Sequence, residues 1–231
     1  MHQNSRDCPQ PRQTRTIRPT RRSVSGHFVF RGQHAIAYES TLERDFLART
    51  AFFVHVLDII PQPVQVPFVA NDGRSDHYTP DYLVYYRLGL RDWEDYPKPL
   101  LVEVTSRDSW RKHWRTWLPK WKAALRHARE QGWEFRIMDE ARIRDAVFRN
   151  IHGLERYNRM DFPPEDTRWI LEGLREMGAA PVHYLLARYF SGITRGDGIA
   201  HLWHLLASRQ VDCDISQPLD ESTELWLPAD E

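Results

Sequence analysis

Apolar positions in the first two thirds of the chain alternate between the two-residue period of strands and the wider spacing of helices. Ser40 with Glu43 three residues later has the form of a capping box, and apolar residues follow at helical spacing. Asn71, Asp72 and Gly73 form a strong hairpin-turn signal. Strands are predicted at residues 54–60, 63–69, 78–86, 100–105 and 133–138. This mixture predicts an α/β domain.

Helices are predicted at residues 107–131 and 139–150, the first broken or restarted at Pro119 because proline lacks the backbone donor. Beyond about residue 155 the pattern is helical, at residues 167–177, 182–190 and 199–208. We therefore place a domain boundary at Gly153. The predicted organisation is a basic disordered arm at 1–25, an α/β domain at 26–152 and a helical C-terminal domain at 153–231.

The charge is unevenly distributed along the 231 residues, although lysines and arginines equal the acidic residues in number. Residues 1–31 contain seven arginines and one aspartate, a net charge of +6. The last twenty residues contain seven acidic and no basic side chains. A basic arm combined with an acidic tail indicates a charged partner, which the neutral total conceals.

Cysteine content and hydropathy indicate a cytoplasmic protein. The two cysteines, Cys8 and Cys213, lie far apart and form neither a disulfide framework nor a zinc motif. No apolar segment approaches the roughly 20 residues that span a bilayer, and the N-terminus has no apolar signal region. We expect no membrane partner.

Three acidic residues stand out as candidates for chemistry. Asp81 and Glu103 interrupt apolar strands, where an unpaired charge is costly, and Glu43 lies near the start of the preceding helix. Such carboxylates suit Mg²⁺, which prefers hard oxygen ligands. Each also has a structural interpretation: Glu43 as the acid of the capping box, Asp81 as the partner of an arginine, and Glu103 as half of a buried ion pair.

These residues lie in or near six segments of the chain: Ser40–Phe46, Gln62–Pro63, Tyr78–Val84, Leu101–Val104, Lys120–Ala124 and Gly132–Phe135. Together these segments resemble the TnsA transposon endonucleases, over about residues 35–150. The resemblance implies a restriction-endonuclease-like mixed β-sheet flanked by helices, with a PD-(D/E)XK site and a small, mostly helical, winged-helix-like C-terminal domain. By the same resemblance, residues 26–152 would form the catalytic domain and residues 153–231 would bind a partner.

The resemblance also implies an activity and its partners. Glu43, Asp81 and Glu103 would hold Mg²⁺, or Mn²⁺ as a substitute, with the backbone carbonyl of Val104 as a further ligand. Such proteins cut the 5′ ends of transposon-end DNA. A DDE transposase cuts the 3′ ends, and an AAA+ ATPase that contacts the C-terminal part regulates the pair.

The sequence departs from the family pattern at Thr105, where the family usually has lysine. Threonine cannot supply a positive charge at the scissile phosphate. Lys120 is the first candidate to replace it and Lys112 the second, although both also fit ordinary surface lysines. Loss of the lysine leaves open a catalytically silent DNA- or protein-binding subunit of the same fold. A restriction or repair nuclease of this fold is a separate alternative.

Residues 107–131 also predict surfaces. Four tryptophans at steps of four and three, from Trp110 to Trp121, are expected to form a core-packing face. A neighbouring basic stripe is a candidate DNA-binding track, and its members are Arg111, Arg115, Lys122, Arg126 and Arg129. His201 and His204 lie one turn apart without a third ligand, and we interpret them as ordinary helix residues.

Overall fold

The computed structural model describes residues 24–89, 95–190 and 192–228. The chain forms two compact units, which divide between Ile143 and Arg144. The predicted boundary at Gly153 falls ten residues later, inside the helix 146–154, whose buried Phe148 and Ile151 belong to the second unit. Of the predicted disordered arm, residues 1–23 lie outside the described part of the chain.

In its described residues, the first unit contains eight strands and three helices. The strands are β1 Gly26–Phe30, β2 His34–Tyr38, β3 Val56–Pro61, β4 Val66–Val69, β5 Ser75–Tyr78, β6 Tyr82–Tyr86, β7 Leu100–Val104 and β8 Glu134–Met138. The helices are α1 Thr41–Ala51, α2 Arg107–Glu130 and α3 Glu140–Ile143. The hairpin of β1 and β2 was not predicted, because its alternation covers only five residues on each side of a short turn.

The central sheet has the order β3–β6–β7–β8. The first two pairings are antiparallel, and β7 with β8 is parallel. A parallel pair needs a long crossover, which α2 provides between these two strands. The sheet is therefore mixed, with its parallel part next to the longest helix.

Both faces of this sheet are covered by other elements. Alternate side chains of one strand point to opposite faces, so neighbouring residues report on different faces. Tyr82 and Val102 pack in a cluster with side chains of α1 and the β1–β2 hairpin. Leu83 and Leu101 pack against Ala128 of α2. Residues in step with Leu101 along β7 therefore face α2.

The predicted strand 78–86 is divided in the structure. Residues up to Tyr78 pair with β4 in a separate hairpin, and the chain resumes as β6 at Tyr82. The predicted turn at Asn71–Gly73 is confirmed: it joins β4 to β5, and Gly73 adopts a φ of 82°. The break at Thr79–Asp81 removes Asp81 from the regular ladder and places it at the entrance to β6.

Helix α2 runs through Pro119 without a break, contrary to the prediction. Proline has no N–H to donate to the carbonyl four residues earlier, which is that of Arg115. The side-chain amide of Asn71 donates to that carbonyl at 3.0 Å. The hairpin turn thus satisfies the acceptor that the proline leaves unpaired, and the helix continues.

The second unit is mostly helical. Its helices are α4 Ala146–Leu154, α5 Pro164–Met177, α6 Val182–Tyr189 and α7 Arg195–Ala207, with two short 3-10 helices at Glu155–Tyr157 and Gly192–Thr194. Strands β9 Ala179–Pro181 and β10 Glu224–Trp226 pair antiparallel. The mixed sheet flanked by helices and the helical second unit confirm the predicted fold class. Within the described residues, no helix is long and apolar enough to cross a membrane.

Candidate active site

Asp81 is held where β3, β6 and β7 meet. Its backbone N–H donates to the carbonyl of Val102 at 3.0 Å, and its own carbonyl accepts from Gln62 at 2.7 Å. Its carboxylate Oδ2 accepts from the backbone N–H of Val104 at 2.7 Å. Backbone and side chain are thus both fixed, so the carboxylate is presented in one orientation.

Glu103 lies next to Asp81 on the α2 face of the sheet and is only 6% exposed. The hydroxyl of Tyr78 donates to its Oε2 at 2.5 Å. The ammonium of Lys120 lies 3.0 Å from its Oε1. A carboxylate can accept about four hydrogen bonds, so both oxygens keep capacity for a further partner.

Lys120 is surrounded by aromatic rings in addition to this ion pair. Its Nζ lies 4.5 Å from the ring centre of Tyr78, 4.8 Å from that of Trp117 and 5.9 Å from that of Trp121. Cations within about 6 Å of an aromatic ring face are attracted by its electron density. We call Tyr78, Trp117 and Trp121 the aromatic cage, and it holds the ammonium group beside the two carboxylates.

Glu43 lies at the start of α1 and serves the helix cap. Its backbone N–H donates to Ser40 Oγ at 3.1 Å, as predicted. Its carboxylate accepts from the N–H of Glu39 at 2.8 Å, one residue before the position that a regular capping box uses. The Tyr82 hydroxyl also donates to it at 3.2 Å. The metal-ligand role of Glu43 stays a prediction.

Burial and mutual repulsion make ionisation of the acidic cluster unfavourable. Burial raises the pKa of Asp81 well above its ordinary value, and the charges of Glu103 and then Glu43 raise it further. The Val104 N–H and Lys120 oppose this effect. Burial also raises the pKa of Glu43, against its hydrogen bonds from Glu39, Ser40 and Tyr82. The ionised cluster is therefore an unfavourable arrangement that a nearby cation would relieve.

The donor set fits a hard divalent cation. Among the described residues, no group of three or more His, Cys, Asp or Glu side chains is placed to hold a metal ion by itself. Mg²⁺ usually needs only one or two carboxylates, with water and substrate oxygens completing its shell. Asp81 and Glu103 meet this requirement. The Val104 carbonyl follows Glu103 directly and stays a predicted ligand.

Thr105 and Lys112 occupy different places from Lys120. Thr105 follows β7 in step with Glu103, is half-buried, and donates its backbone N–H to Met138 at 3.0 Å. Lys112 is exposed and lies eight residues before Lys120 on α2, about 12 Å along the helix. Of the two predicted lysines, the structure brings only Lys120 to the carboxylates.

A cleft of about 500 Å³ opens over these groups. Its lining includes Asp81, Glu103 and Lys120, with hairpin residues such as Asp76 and His77. Sequence reasoning did not identify Tyr78, His77 or Asp76 as site residues. In the sequence, a tyrosine or histidine in a short strand looks like an ordinary strand residue. Its place in the site becomes visible only when the position of α2 is known.

The basic stripe of α2 is exposed along its whole length, at Arg111, Arg115, Lys122, Arg126 and Arg129. Its DNA-binding role stays a prediction. The tryptophan face is only partly buried, contrary to the expectation of a packed face. Trp121 is 6% exposed, whereas Trp110 and Trp114 are 42% and 40% exposed.

The histidines of the second unit are held by internal partners. His201 is 1% exposed, contacts Thr167 Oγ1 through Nε2 at 2.8 Å and stacks on Phe162 with ring centres 4.3 Å apart. The Nδ1 of His204 lies 2.8 Å from the carbonyl of Tyr157. Both contacts agree with their interpretation as ordinary helix residues.

A mixed sheet that brings carboxylates from neighbouring strands and a lysine from the crossover helix into one cleft is the arrangement of a restriction-endonuclease-like nuclease. Residues 54–140 match the family described as TnsA-like endonuclease N terminal. Residues 142–215 match the family described as TnsA endonuclease C terminal. The chain therefore belongs to the TnsA family of transposon endonucleases.

The matched ranges include most of the site. Asp81, Glu103 and Lys120 lie inside the first match, and Glu43 lies before it. The two matches adjoin between residues 140 and 142, close to the division between the units. No curated protein matches the chain. Membership of this family implies DNA and other transposase subunits as partners.

Proposed function

We propose that this chain is the subunit of a heteromeric transposase that cuts the 5′ ends of a transposon by Mg²⁺- or Mn²⁺-dependent hydrolysis. The observation that carries the proposal is the pair of fixed carboxylates, Asp81 and Glu103, facing Lys120 in one cleft of an endonuclease family member. Its partners would be transposon-end DNA, a DDE transposase that cuts the 3′ ends, and an AAA+ ATPase that regulates both and contacts the second unit.

The carboxylates have the first task in this mechanism. Asp81 and Glu103 supply anionic oxygens, with the Val104 carbonyl and Glu43 as further predicted ligands. A bound divalent cation would activate water and stabilise the charge that develops on the scissile phosphate. The Val104 N–H fixes Asp81 and the Tyr78 hydroxyl fixes Glu103, so little reorientation is needed when substrate binds.

Lys120 has the role that lysine at position 105 would otherwise take. It approaches from α2 instead of β7, and the aromatic cage limits the positions that its ammonium can adopt. There it offsets phosphate charge and orients the attacking water. Cleavage of the phosphodiester would leave a 3′-hydroxyl and a 5′-phosphate.

Thr105 favours a second candidate function, a catalytically silent subunit that binds DNA or protein. Without a cation on β7, a chain of this fold could retain its surfaces and lose the reaction. The two candidates differ in one property. The silent subunit would bind metal or DNA without cutting. Membership of the TnsA family favours transposition over restriction or repair.

The test is strand cleavage of transposon-end DNA with Mg²⁺ or Mn²⁺, in the presence of the cognate transposase and ATPase. Asp81→Ala should abolish 5′-strand cleavage and leave 3′-strand cleavage intact. Glu130→Ala is the matched control, because it removes an exposed carboxylate at the end of α2. If wild-type protein yields no 5′ cuts while the transposase cuts the 3′ ends, the silent-subunit interpretation replaces the proposal.

A further inference from the structure

The N-terminal half of α2 extends its tryptophan face beyond the covered part of the fold. The helix has 24 residues, about 36 Å, whereas the strands that it crosses have five, about 17 Å. Trp110 and Trp117, and likewise Trp114 and Trp121, are seven residues apart and differ by only about 20° around the helix. The same face is therefore packed at Trp121 and two-fifths exposed at Trp110 and Trp114.

The bare end of this face carries an excess of positive charge. Arg111, Lys112 and Arg115 are exposed, and none of them forms an ion pair within the described ranges. The guanidinium of Arg115 lies 5.2 Å from the ring centre of Trp114. Asp108 is the one acidic residue between positions 107 and 118. Partly exposed indoles beside cations that form no ion pair among the described residues fit an anionic partner with flat apolar groups.

The same face leads into the cleft. Trp117, one turn after Trp114, lines the cleft together with Thr116, and Lys120 follows. A nucleic acid strand with its scissile phosphate at Asp81 and Glu103 would pass Trp117 and then reach Trp114 and Trp110. Position and charge therefore both favour DNA over a protein partner, although Trp and Arg are also common at protein interfaces.

We propose that Trp110 and Trp114 stack on unpaired bases of the DNA next to the cleavage position; this rests on the proposed function. In a fully paired duplex the base faces are buried in the helical stack, and an indole meets mainly groove edges and backbone. An unpaired base offers its whole face, and such stacking is tolerant of sequence. The site would therefore prefer DNA that is locally unpaired beside the cut.

The test is DNA binding by fluorescence anisotropy in the presence of EDTA, so that cleavage does not contribute. The probes are two labelled duplexes of equal length, one fully paired and one with a four-nucleotide mismatched bubble. We expect wild-type protein to prefer the bubble, and Trp110→Ala and Trp114→Ala each to weaken bubble binding about tenfold. Binding to the paired duplex should change by no more than about twofold.

Two sets of variants make the result specific. Trp110→Phe and Trp114→Phe keep an aromatic face and should retain most of the preference. Trp169→Ala, a 50% exposed tryptophan of the second unit, should have no effect. Thermal melting checks that each variant folds, which we expect because the replaced indoles are exposed.

The other outcomes distinguish failure of this inference from failure of the proposed function. Failure of wild-type protein to bind the bubble at micromolar concentration, equal binding to both DNAs, or equal loss on both excludes base stacking. Unchanged DNA binding with lost stimulation of cleavage by the transposase assigns the surface to a protein partner. Tryptophan-dependent bubble binding, combined with no 5′-strand cleavage in Mg²⁺ when the transposase and ATPase are present, contradicts the proposed function and leaves the stacking surface in place.

Discussion

The two units contain clefts of similar volume, about 500 Å³ in the first and about 460 Å³ in the second. Both combine aromatic rings, acidic side chains and a buried titratable group. In the first cleft, Asp81 and Glu103 are held side by side, and burial, followed by the charge of Glu103, raises the pKa of Asp81. In the second, burial lowers the pKa of His201, which leaves the imidazole neutral and bonded to Thr167.

The two clefts differ in whether other protein atoms balance the buried titratable group. His201 is satisfied by protein atoms, and the aspartates of its cleft are half-buried or exposed. The carboxylates of the first cleft lack enough positive charge, since Lys120 is one cation facing more than one anion. Burial of a titratable residue is therefore a weak indication of function, whereas buried charges of one sign in a cleft are a strong one.

After the loss of cleavage expected for Asp81→Ala, the largest effect should come from removing the ammonium group of Lys120 from the first cleft. We expect Lys120→Ala to reduce 5′-strand cleavage about 10²–10³-fold, because a charge that stabilises the transition state is lost. Thr105→Lys in that background should restore part of the rate, since position 105 lies in step with Glu103. Lys98→Ala, an exposed lysine before β7, is the control. Equal cleavage by wild type and Lys120→Ala would contradict the role of Lys120.

Substitution of the buried titratable residue should lower stability in the second cleft but not in the first. His201→Ala leaves a cavity and removes the partner of Thr167, so the free energy of unfolding should fall by about 2–3 kcal/mol. Asp81→Asn should leave it unchanged or raise it at neutral pH, because charge repulsion with Glu103 disappears. Urea denaturation monitored by circular dichroism measures both. A large loss for Asp81→Asn would mean that the first cleft is also complete without a cation.

Tyr78→Phe tests whether the hydroxyl that holds Glu103 matters for the reaction. The ring and its contact with Lys120 remain, and only the hydrogen bond to Glu103 is lost. We expect cleavage to fall about tenfold and Mn²⁺ affinity, measured by calorimetry, to fall with it. Tyr96→Phe changes an exposed ring and should have no effect. Full activity in Tyr78→Phe would reduce Tyr78 to a packing residue.

The smallest effect is a pH dependence that belongs to the second cleft. A histidine whose pKa is lowered by folding contributes stability that is complete above its unfolded value of about 6.5. This contribution decreases as the pH falls through 6.5 toward the lowered value, because the unfolded chain then binds the proton more readily. His201→Gln should lose that part of the acid sensitivity in urea titrations between pH 7 and pH 5. Identical pH profiles for both proteins would contradict the assignment.

Sequence periodicity predicted the parts of the fold that depend on local pattern. The capped start of α1, the turn at Asn71–Gly73 and the apolar strand around Val102 each occur where local residues indicate them. The continuous α2 could not be predicted in this way. Its continuity through Pro119 depends on an amide from the hairpin turn, 44 residues from Arg115 in sequence.

In the candidate site, too, local sequence predicted some features, whereas others depend on residues distant in the sequence. Asp81 and Glu103 were found because a carboxylate in an apolar strand is conspicuous. The aromatic cage was not, because tyrosine and tryptophan are common in strands and helix cores. The exposed positions of Trp110 and Trp114 were also missed, since helical spacing gives the face on which a residue lies but not how far the neighbouring sheet extends.

The bond between Asn71 and the Arg115 carbonyl also has a consequence for assembly of the fold. In the interior of a regular helix, each backbone carbonyl accepts a hydrogen bond from an amide of the same helix. No turn then differs from the others in the acceptors that it presents to a neighbouring segment. The proline makes one carbonyl different from the rest. The Asn71 amide of the hairpin can therefore pair at one place along the helix interior. This pairing fixes how far the hairpin, which lines the cleft, extends toward Lys120.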